Sequence, residues 1–270
     1  RPVLPDYRIL ETVQDRMLEK NFLAGLGIAT AAYADVASPQ TLREAIKVVG
    51  LPAVIKTRRF GYDGKGQAII RDGDDPGQAW DDLGTRSAIA EAFVPFEREI
   101  SVIAARGADG RVECFDVTEN EHRDHILKYS RVPAAISDTL AAQARDIAKK
   151  IADALDYVGV LAVEMFVVPG PGGPALLVSE IAPRVHNSGH WTLDGASVSQ
   201  FEQHIRAVAG WPLGKPVRHG SVVMTNLIGD DILDYGKWLT VPGAAVHIYG
   251  KGAQRPGRKM GHVTEVKGSG

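Results

Sequence analysis

Two apolar runs joined by a turn of proline and glycine dominate the second half of the chain. Residues 161–168 and 175–181 flank the turn 169–174, and this pattern is typical of a β-hairpin. In a symmetric register Glu164 and Glu180 face each other, and opposed Cβ atoms lie about 4.5–5.5 Å apart. Because like charges so placed destabilise a sheet, the pattern predicts a divalent cation between them, Mg²⁺ above all. The alternative is two surface glutamates on a solvated face.

The loop after the second run is unusually rich in polar side chains. Within seven residues it holds five hydrogen-bonding or titratable groups: Arg184, His186, Asn187, Ser188 and His190. Pro183 and Gly189 favour a loop, and loops that leave a rigid sheet often carry binding residues. The proximity of Glu180 indicates an anion-binding site rather than an ordinary polar loop.

A glycine-rich loop, 58–66, lies between two predicted strands at 51–57 and 67–71. It does not lead into a helix, so it fits neither the P-loop nor the dinucleotide-binding fingerprint. Its glycines let the backbone approach a ligand closely, and successive amides in such a turn can bind an anion. With Lys56 on the preceding strand, the loop predicts a flap over nucleotide phosphates; a tight hairpin is the alternative.

Two further segments are compatible with a nucleotide and an anion. Residues 91–94 end a predicted strand shortly before Glu99, so their backbone could pair with an adenine edge while a carboxylate accepts from ribose. Residues 255–259 crowd three cations near His262, which suits a phosphate clamp because arginine binds phosphate in a bidentate manner. Exposed glutamates and a solvated basic turn are the alternatives.

Composition excludes several classes of partner. The net charge is −2 over 270 residues, so we expect no wholesale attraction to nucleic acid or to a membrane surface. No apolar stretch approaches the ~20 residues that span a bilayer. A single cysteine, Cys114, cannot form an internal disulfide, which favours a reducing, cytoplasmic location. The chain does not begin with Met, and we expect it to be a piece of a longer protein.

The pattern of apolar residues predicts mixed helices and strands. Helices are expected at 14–25, 38–50, 137–156 and 199–210, and strands at 87–94, 98–105, 112–117, 221–228 and 245–249. The polar segment 118–133 is expected to interrupt the strands. Without a regular alternation of strand and helix, the chain is predicted to be α+β.

Several strings resemble the ATP-grasp and C-terminal portions of the 5-(carboxyamino)imidazole ribonucleotide synthase family, which acts in purine biosynthesis. They are Asp15-Arg16, the loop 61–67, and the segments 157–160, 180–191, 195–197, 199–202, 226–229 and 255–259. The segment 180–191 is the most specific of these. Members of this family normally begin with a Rossmann-like domain, and we expect that domain to be absent here.

The resemblance implies an ATP-grasp ligase that activates bicarbonate with ATP as carboxyphosphate and carboxylates 5-aminoimidazole ribonucleotide, releasing ADP and phosphate. It also implies a homodimer. The expected parts are 1–15 as a remnant or linker of a missing N-terminal domain, 16–210 as the ATP-grasp domain with a smaller lid at about 45–95, and 211–270 as a small β-rich domain. Another ATP-grasp carboxylate-amine ligase, and a nucleotide-binding fragment without turnover, stay open as alternatives.

The resemblance also assigns residues. Mg²⁺ is expected on Glu164 and Glu180, and the acceptor on Arg184, His186, Asn187, Arg258 and Lys259. Asp63, Lys259, Arg184 and His186 are the expected catalytic residues, with Asp63 placed to orient the amine or accept its proton. The expected nucleotide contacts are Arg16, Lys56, Gly61, Tyr62, Asp63, Gly64, Lys65, Gly66, Gln67, Glu91, Ala92, Phe93, Val94, Glu99, His122, Ser179 and Glu180.

Overall fold

The computed structural model describes residues 3–61 and 66–268. In this part of the chain the α-helices are α1 Tyr7–Val13, α2 Arg16–Gly25, α3 Pro39–Val49, α4 Pro76–Leu83, α5 Asp138–Ala154, α6 Thr192–Gly195 and α7 Gln200–Val208. The strands are β1 Tyr33–Val36, β2 Ala53–Thr57, β3 Gln67–Ile70, β4 Ala88–Ala92, β5 Arg98–Arg106, β6 Val112–Cys114, β7 Thr118–Arg123, β8 Ile126–Val132, β9 Gly159–Val168, β10 Ala175–Ala182, β11 Ser221–Ile228, β12 Ala244–Ile248 and β13 Lys259–Lys267. Short 3-10 helices cover Asn187–Gly189 and Gly229–Thr240.

The chain forms two compact units. The first unit contains residues 98–164 and 182–270 together with the residues up to Asp6, and the second contains 7–97 and 165–181. The hairpin therefore crosses the boundary between units: Glu164 is the last residue of its segment in the first unit, and Glu180 belongs to the second.

The first unit is built on one large sheet. Its strands are hydrogen-bonded in the order β9-β5-β7-β8-β11-β13-β12, and β6 pairs with the outer part of β5. The three C-terminal strands extend this sheet, because β11 pairs antiparallel with both β8 and β13. Helix α5 packs on β5 and β6 with one apolar face that buries Leu140, Ala144, Ala148 and Ile151, as its period predicts.

Strands β7 and β8 occupy the segment that the sequence led us to expect as an interruption, so that expectation is wrong. The reason lies in the residues they bury. Thr118, Asn120 and Ser130 are buried polar side chains on these strands, and they are satisfied by hydrogen bonds with other side chains. A prediction based only on the spacing of apolar residues cannot identify such buried polar positions.

The second unit holds a four-stranded antiparallel sheet in the order β1-β4-β2-β3. Helix α3 covers it and buries Leu42, Ala45 and Val49. The helix begins where the sequence predicts, because the hydroxyl of Ser38 accepts from the amide of Thr41 and the Thr41 hydroxyl accepts from the amide of Ser38, a capping box.

Mixed helices and antiparallel sheets confirm the α+β prediction. Among the described residues, no helix is both long and apolar enough to cross a bilayer.

Candidate active site

The centre of the candidate site in the first unit is a carboxylate held by an imidazole. Nε2 of His186 lies 3.0 Å from Oε1 of Glu164, near the middle of β9. Burial would raise the pKa of Glu164, but the imidazole of His186, followed by His122 and Arg184, lowers it to about 2. Glu164 is therefore ionised at neutral pH, which is the form that binds a cation.

A chain of hydrogen bonds behind His186 fixes the orientation of its ring. Nδ1 lies 2.8 Å from the Ser188 hydroxyl, which lies 2.7 Å from the hydroxyl of Ser101. Asn120 donates to Ser101 at 2.9 Å and accepts from Ser130 at 2.9 Å. These four polar side chains are buried, so each needs its partner.

The hydrogen bonds behind His186 also have a defined donor-to-acceptor direction. The amide N–H of Ser188 donates to Nδ1 of His186, so Nδ1 is an acceptor and Nε2 carries the proton that goes to Glu164. Each hydroxyl can then donate to the next group, from Ser130 through Asn120 and Ser101 to Ser188. The protein thus selects one tautomer of His186.

Gln200, at the start of α7, clamps the loop that carries these residues. Its side chain accepts from the amide of His186 at 2.9 Å and donates to the carbonyl of the same residue at 2.7 Å. Gly189 has to be glycine here, since a Cβ would lie 2.7 Å from Oε1 of Gln200 and 2.9 Å from a side-chain carbon of Ile103. The loop is a rigid platform.

A second histidine and carboxylate pair lies on the same sheet. Nδ1 of His122 on β7 is 2.5 Å from Oε2 of Glu99 on β5. Burial would lower the pKa of His122, but the bond and charge of Glu99, with Glu164 adding to them, raise it. The charge of Lys259 opposes this rise.

The basic residues expected around the acceptor lie in the same unit. Arg184 is exposed and donates to the carbonyl of Val185, and its charge helps to lower the pKa of Glu164. Lys259 opens β13, and its charge acts on His122. Arg258 precedes it, half-buried. Asn187 exchanges two amide hydrogen bonds with Asn226, at 3.0 and 2.7 Å.

The second unit gathers three basic side chains, two from α2 and one from β2. Lys56 on β2 donates to Oε2 of Glu91 on β4 at 3.0 Å, and Lys20 of α2 lies 3.8 Å from the same oxygen. Lys20 is 1% exposed and also donates to the carbonyl of Ser179 at 3.0 Å. The third is Arg16, 3.6 Å from Oε2 of Glu180.

The two lysines shift the pKa of Glu91. Burial would raise the pKa of Glu91, but Lys56 and Lys20 lower it. Its other oxygen, Oε1, is buried without a hydrogen-bond partner among the described residues. A buried, ionised oxygen with no partner is suited to accept from a ligand, because leaving it unpaired is costly.

Glu19 is buried next to this group. Burial and then the charge of Glu180 raise the pKa of Glu19 to about 8, although the amide of Ile181 donates to it at 2.5 Å. At neutral pH this carboxyl is protonated, which limits the repulsion from Glu180.

Hydrogen bonds fix the backbone expected to contact adenine. The amides of Ala92 and Phe93 donate to the carbonyls of Ala32 and Pro52, and the carbonyl of Val94 accepts from Phe96.

The expected flap lies partly outside the described residues. Gln67 pairs with Lys56 in the sheet, and Gly66 adopts φ +70° against Thr57. Tyr62, Asp63, Gly64 and Lys65 fall outside the described part, and Gly61 is the last residue before them.

Sequence reasoning missed four groups: Lys20, Glu19, the polar chain behind His186, and Gln200. Lys20 and Glu19 are consecutive charged residues on a helix, which the sequence alone would assign to a solvated face. Ser101, Asn120 and Ser130 carry no motif. A signal exists for Gln200, which lies in the matching string 199–202, and for Ser188, which lies in the string 180–191.

Comparison with known proteins identifies the family. Residues 21–201 match the ATP-grasp domain, and residues 222–269 match the C-terminal domain of phosphoribosylaminoimidazole carboxylase. N5-carboxyaminoimidazole ribonucleotide synthase of Brucella melitensis is 51% identical over 267 residues, which cover 98% of this chain and 73% of that protein. This chain belongs to the N5-carboxyaminoimidazole ribonucleotide synthase family.

Solved structures of family members agree in fold. The enzyme from Thermus thermophilus superposes with a TM-score of 0.89 at 46% identity, covering 98% of this chain and 71% of that one. A family structure from Aspergillus clavatus, in complex with ADP and 5-aminoimidazole ribonucleotide, gives a TM-score of 0.90 at 31% identity with the same coverage. The predictions of an ATP-grasp fold and of this ligase family are therefore confirmed.

Proposed function

We propose that this protein carboxylates 5-aminoimidazole ribonucleotide with ATP and bicarbonate, forming N5-carboxyaminoimidazole ribonucleotide, ADP and phosphate. The observation that carries the proposal is the loop of Arg184, His186 and Asn187, set on a rigid platform beside an ionised Glu164. This loop lies in the segment 180–191, the most specific of the strings that resemble the family.

In the second unit, the basic side chains suit the nucleotide. Lys56 and Arg16 provide positive charges for phosphate oxygens, which is the main requirement of phosphoryl transfer, and the buried Lys20 holds Glu91 in place. The free oxygen of Glu91 and the fixed backbone up to Val94 are proposed to bind adenine and ribose.

In the first unit, the proposed acceptor contacts are Arg184, His186, Asn187, Arg258 and Lys259. Arg184 and Lys259 would contact the ribonucleotide through charge-assisted hydrogen bonds, and Arg258 is proposed for its phosphate. The proton on Nε2 of His186 is held at a defined atom, so the ring can donate there without changing tautomer. Glu99 and His122 stay proposed as nucleotide contacts.

Mg²⁺ remains a proposal made from the sequence, with Glu164 and Glu180 as ligands. The residues fit it, because carboxylate oxygens are the ligands Mg²⁺ prefers and Glu164 is ionised. When bound, the ion would neutralise charge on the transferred phosphoryl group. Residues 62–65 keep the roles proposed for them from the sequence. Asp63 is proposed to orient the amine or to accept its proton, and the loop is proposed to cover the phosphates. A homodimer is likewise proposed.

The proposal is tested by following ADP formation by the purified protein while single substrates are omitted. We expect turnover only when ATP, bicarbonate and 5-aminoimidazole ribonucleotide are all present. ATP hydrolysis that ignores the ribonucleotide would indicate a different ATP-grasp ligase, and nucleotide binding without turnover under any condition would indicate a binding fragment.

A further inference from the structure

Three side chains with metal-binding atoms meet at one end of the large sheet of the first unit. They are Asp194 of α6, His247 of β12 and His262 of β13, and one ligand atom from each lies within 4.8 Å of the other two. His247 and His262 are direct partners in the β12–β13 register. Their rings are stacked, with centroids 4.5 Å apart and an angle of 13° between planes. None of the three is among the residues proposed above for the reaction.

His262 is arranged as a metal ligand would be. Its side chain is buried, 1% exposed, and Nδ1 lies 2.7 Å from the hydroxyl of Tyr249. Nε2 has no hydrogen-bond partner among the described residues. A hydroxyl oxygen that accepts from Nδ1–H leaves the lone pair of Nε2 free, as second-shell partners of metal-bound histidines do. A buried nitrogen left unpaired destabilises the folded protein, so binding of an ion by Nε2 would be favourable.

The other two side chains complete the donor set. Nε2 of His247 lies 2.8 Å from Oδ2 of Asp194, and these side chains are 33% and 24% exposed, which gives an ion a path from solvent. Two imidazole nitrogens and one carboxylate oxygen suit Zn²⁺, and three protein ligands leave a position for water. In a tetrahedral site with bonds of about 2.0–2.2 Å, ligand atoms are roughly 3.4 Å apart. The His247–Asp194 separation is 2.8 Å and the other two are at most 4.8 Å, so small side-chain movements suffice.

Two neighbouring residues contact the cluster but are not proposed as metal ligands. Nδ1 of His190 accepts from Nε2 of Gln200 at 3.0 Å, so the other nitrogen of His190 carries the proton. The ring of His190 packs beside that of His262, with centroids 5.2 Å apart. Gly261 lets β12 approach β13 closely, since a Cβ there would collide with the carbonyl of His247. This close approach is what stacks the two imidazoles.

We infer that Asp194, His247 and His262 bind one divalent transition-metal ion, with Zn²⁺ the best match to the donor set. The competing interpretation is a hydrogen-bonded Asp194–His247 pair stacked on a neutral histidine, with no ion. The two differ in whether the protein takes up zinc.

The test is a titration of the metal-free protein with Zn²⁺ against a chromophoric chelator, in excess Mg²⁺ to occupy sites made only of carboxylates. We expect one Zn²⁺ per chain, and visible absorption when Co²⁺ replaces it. Asp194→Asn and His247→Asn should each weaken Zn²⁺ binding at least tenfold. His125→Asn is the matched control and should bind as wild type does, because His125 is exposed and its φ of 63° is one that asparagine tolerates.

A wild-type protein that binds no Zn²⁺ would overturn the inference, as would equal binding by Asp194→Asn, His247→Asn and wild type. Since His262 is buried, His262→Asn is first checked for folding by circular dichroism, and the two partly exposed positions carry the test. The titration measures no turnover, so its result is separate from that of the ADP assay.

Discussion

At the scale of single residues, the hydroxyl of Ser188 links the ring of His186 to the buried polar side chains behind it. Ser188→Ala removes one of the two donors to Nδ1, since the backbone amide remains, and leaves the hydroxyl of Ser101 without its acceptor. We expect kcat to fall about tenfold, since a lost partner in a buried network costs about 1–3 kcal/mol, while KM for ATP stays within about twofold.

The distinguishing measurement for Ser188→Ala is the imidazole ¹⁵N spectrum, which reports the tautomer of His186 directly. Because the backbone amide still donates to Nδ1, the spectrum should keep the tautomer protonated at Nε2 and show a shifted Nδ1 resonance. Ser221→Ala, at an exposed strand end, is the control. A Ser188→Ala protein with wild-type kcat and an unchanged Nδ1 resonance of His186 would contradict the positioning role.

Lys259 should act on the acceptor and not on the nucleotide. Lys259→Met removes a charge that reaches His122. We expect KM for 5-aminoimidazole ribonucleotide to rise about tenfold or more, because a charged hydrogen bond contributes about 1.5–3 kcal/mol. KM for ATP should change little. Lys267→Met, exposed at the other end of β13, is the control, and equal rises in both KM values would count against an acceptor contact.

At the scale of elements, the residue that connects the glycine-rich loop to β3 needs the conformation and the small size of glycine. Gly66 has φ +70°, and a Cβ there would lie 2.8 Å from Oγ1 of Thr57. Gly84 has a similar φ of +64° but open space around it.

Gly66→Ala should therefore destabilise the protein by about 1 kcal/mol more than Gly84→Ala. Both substitutions place alanine in the left-handed region of backbone conformation, but only the Cβ at position 66 clashes with a neighbouring side chain. Urea unfolding of the two variants checks this. If the two substitutions cost the same, the close contact with Thr57 contributes nothing.

At the scale of the whole molecule, the buried Glu19 makes stability depend on pH. Its pKa is raised from 4.5 to about 8 in the folded state, so the folded protein binds this proton more tightly than the unfolded chain does. The contribution of Glu19 to the free energy of unfolding is therefore greatest at low pH, and it falls as pH rises from about 4.5 to about 8.

Glu19→Gln keeps an acceptor for the amide of Ile181 and removes the titration. Relative to wild type, we expect it to gain about 2 kcal/mol or more between about pH 6 and pH 8.5, each pKa unit being worth about 1.4 kcal/mol. Urea titrations at both pH values measure this. Glu11→Gln, exposed on α1, should show no such gain, and a Glu19→Gln curve parallel to wild type would refute the raised pKa.

The sequence by itself determined the family and the α+β class. Both predictions rest on residues that are close together in sequence. The loop after Glu180 and the turn before Ala175 are continuous segments, so their chemistry follows from adjacent residues. The capping box of Ser38 is of the same kind. The roles given to individual site residues, and the domain boundaries, stay predictions.

Only the tertiary structure decided the contacts between segments far apart in sequence. Ser101 meets Ser188, Lys20 meets Glu91, and Asp194 meets the two histidines of β12 and β13, because sheet pairing and helix packing bring them together. Strands β7 and β8 escaped prediction for the same reason: their inward side chains are polar, and each is stable in the interior only through a hydrogen bond whose partner comes from another strand or loop.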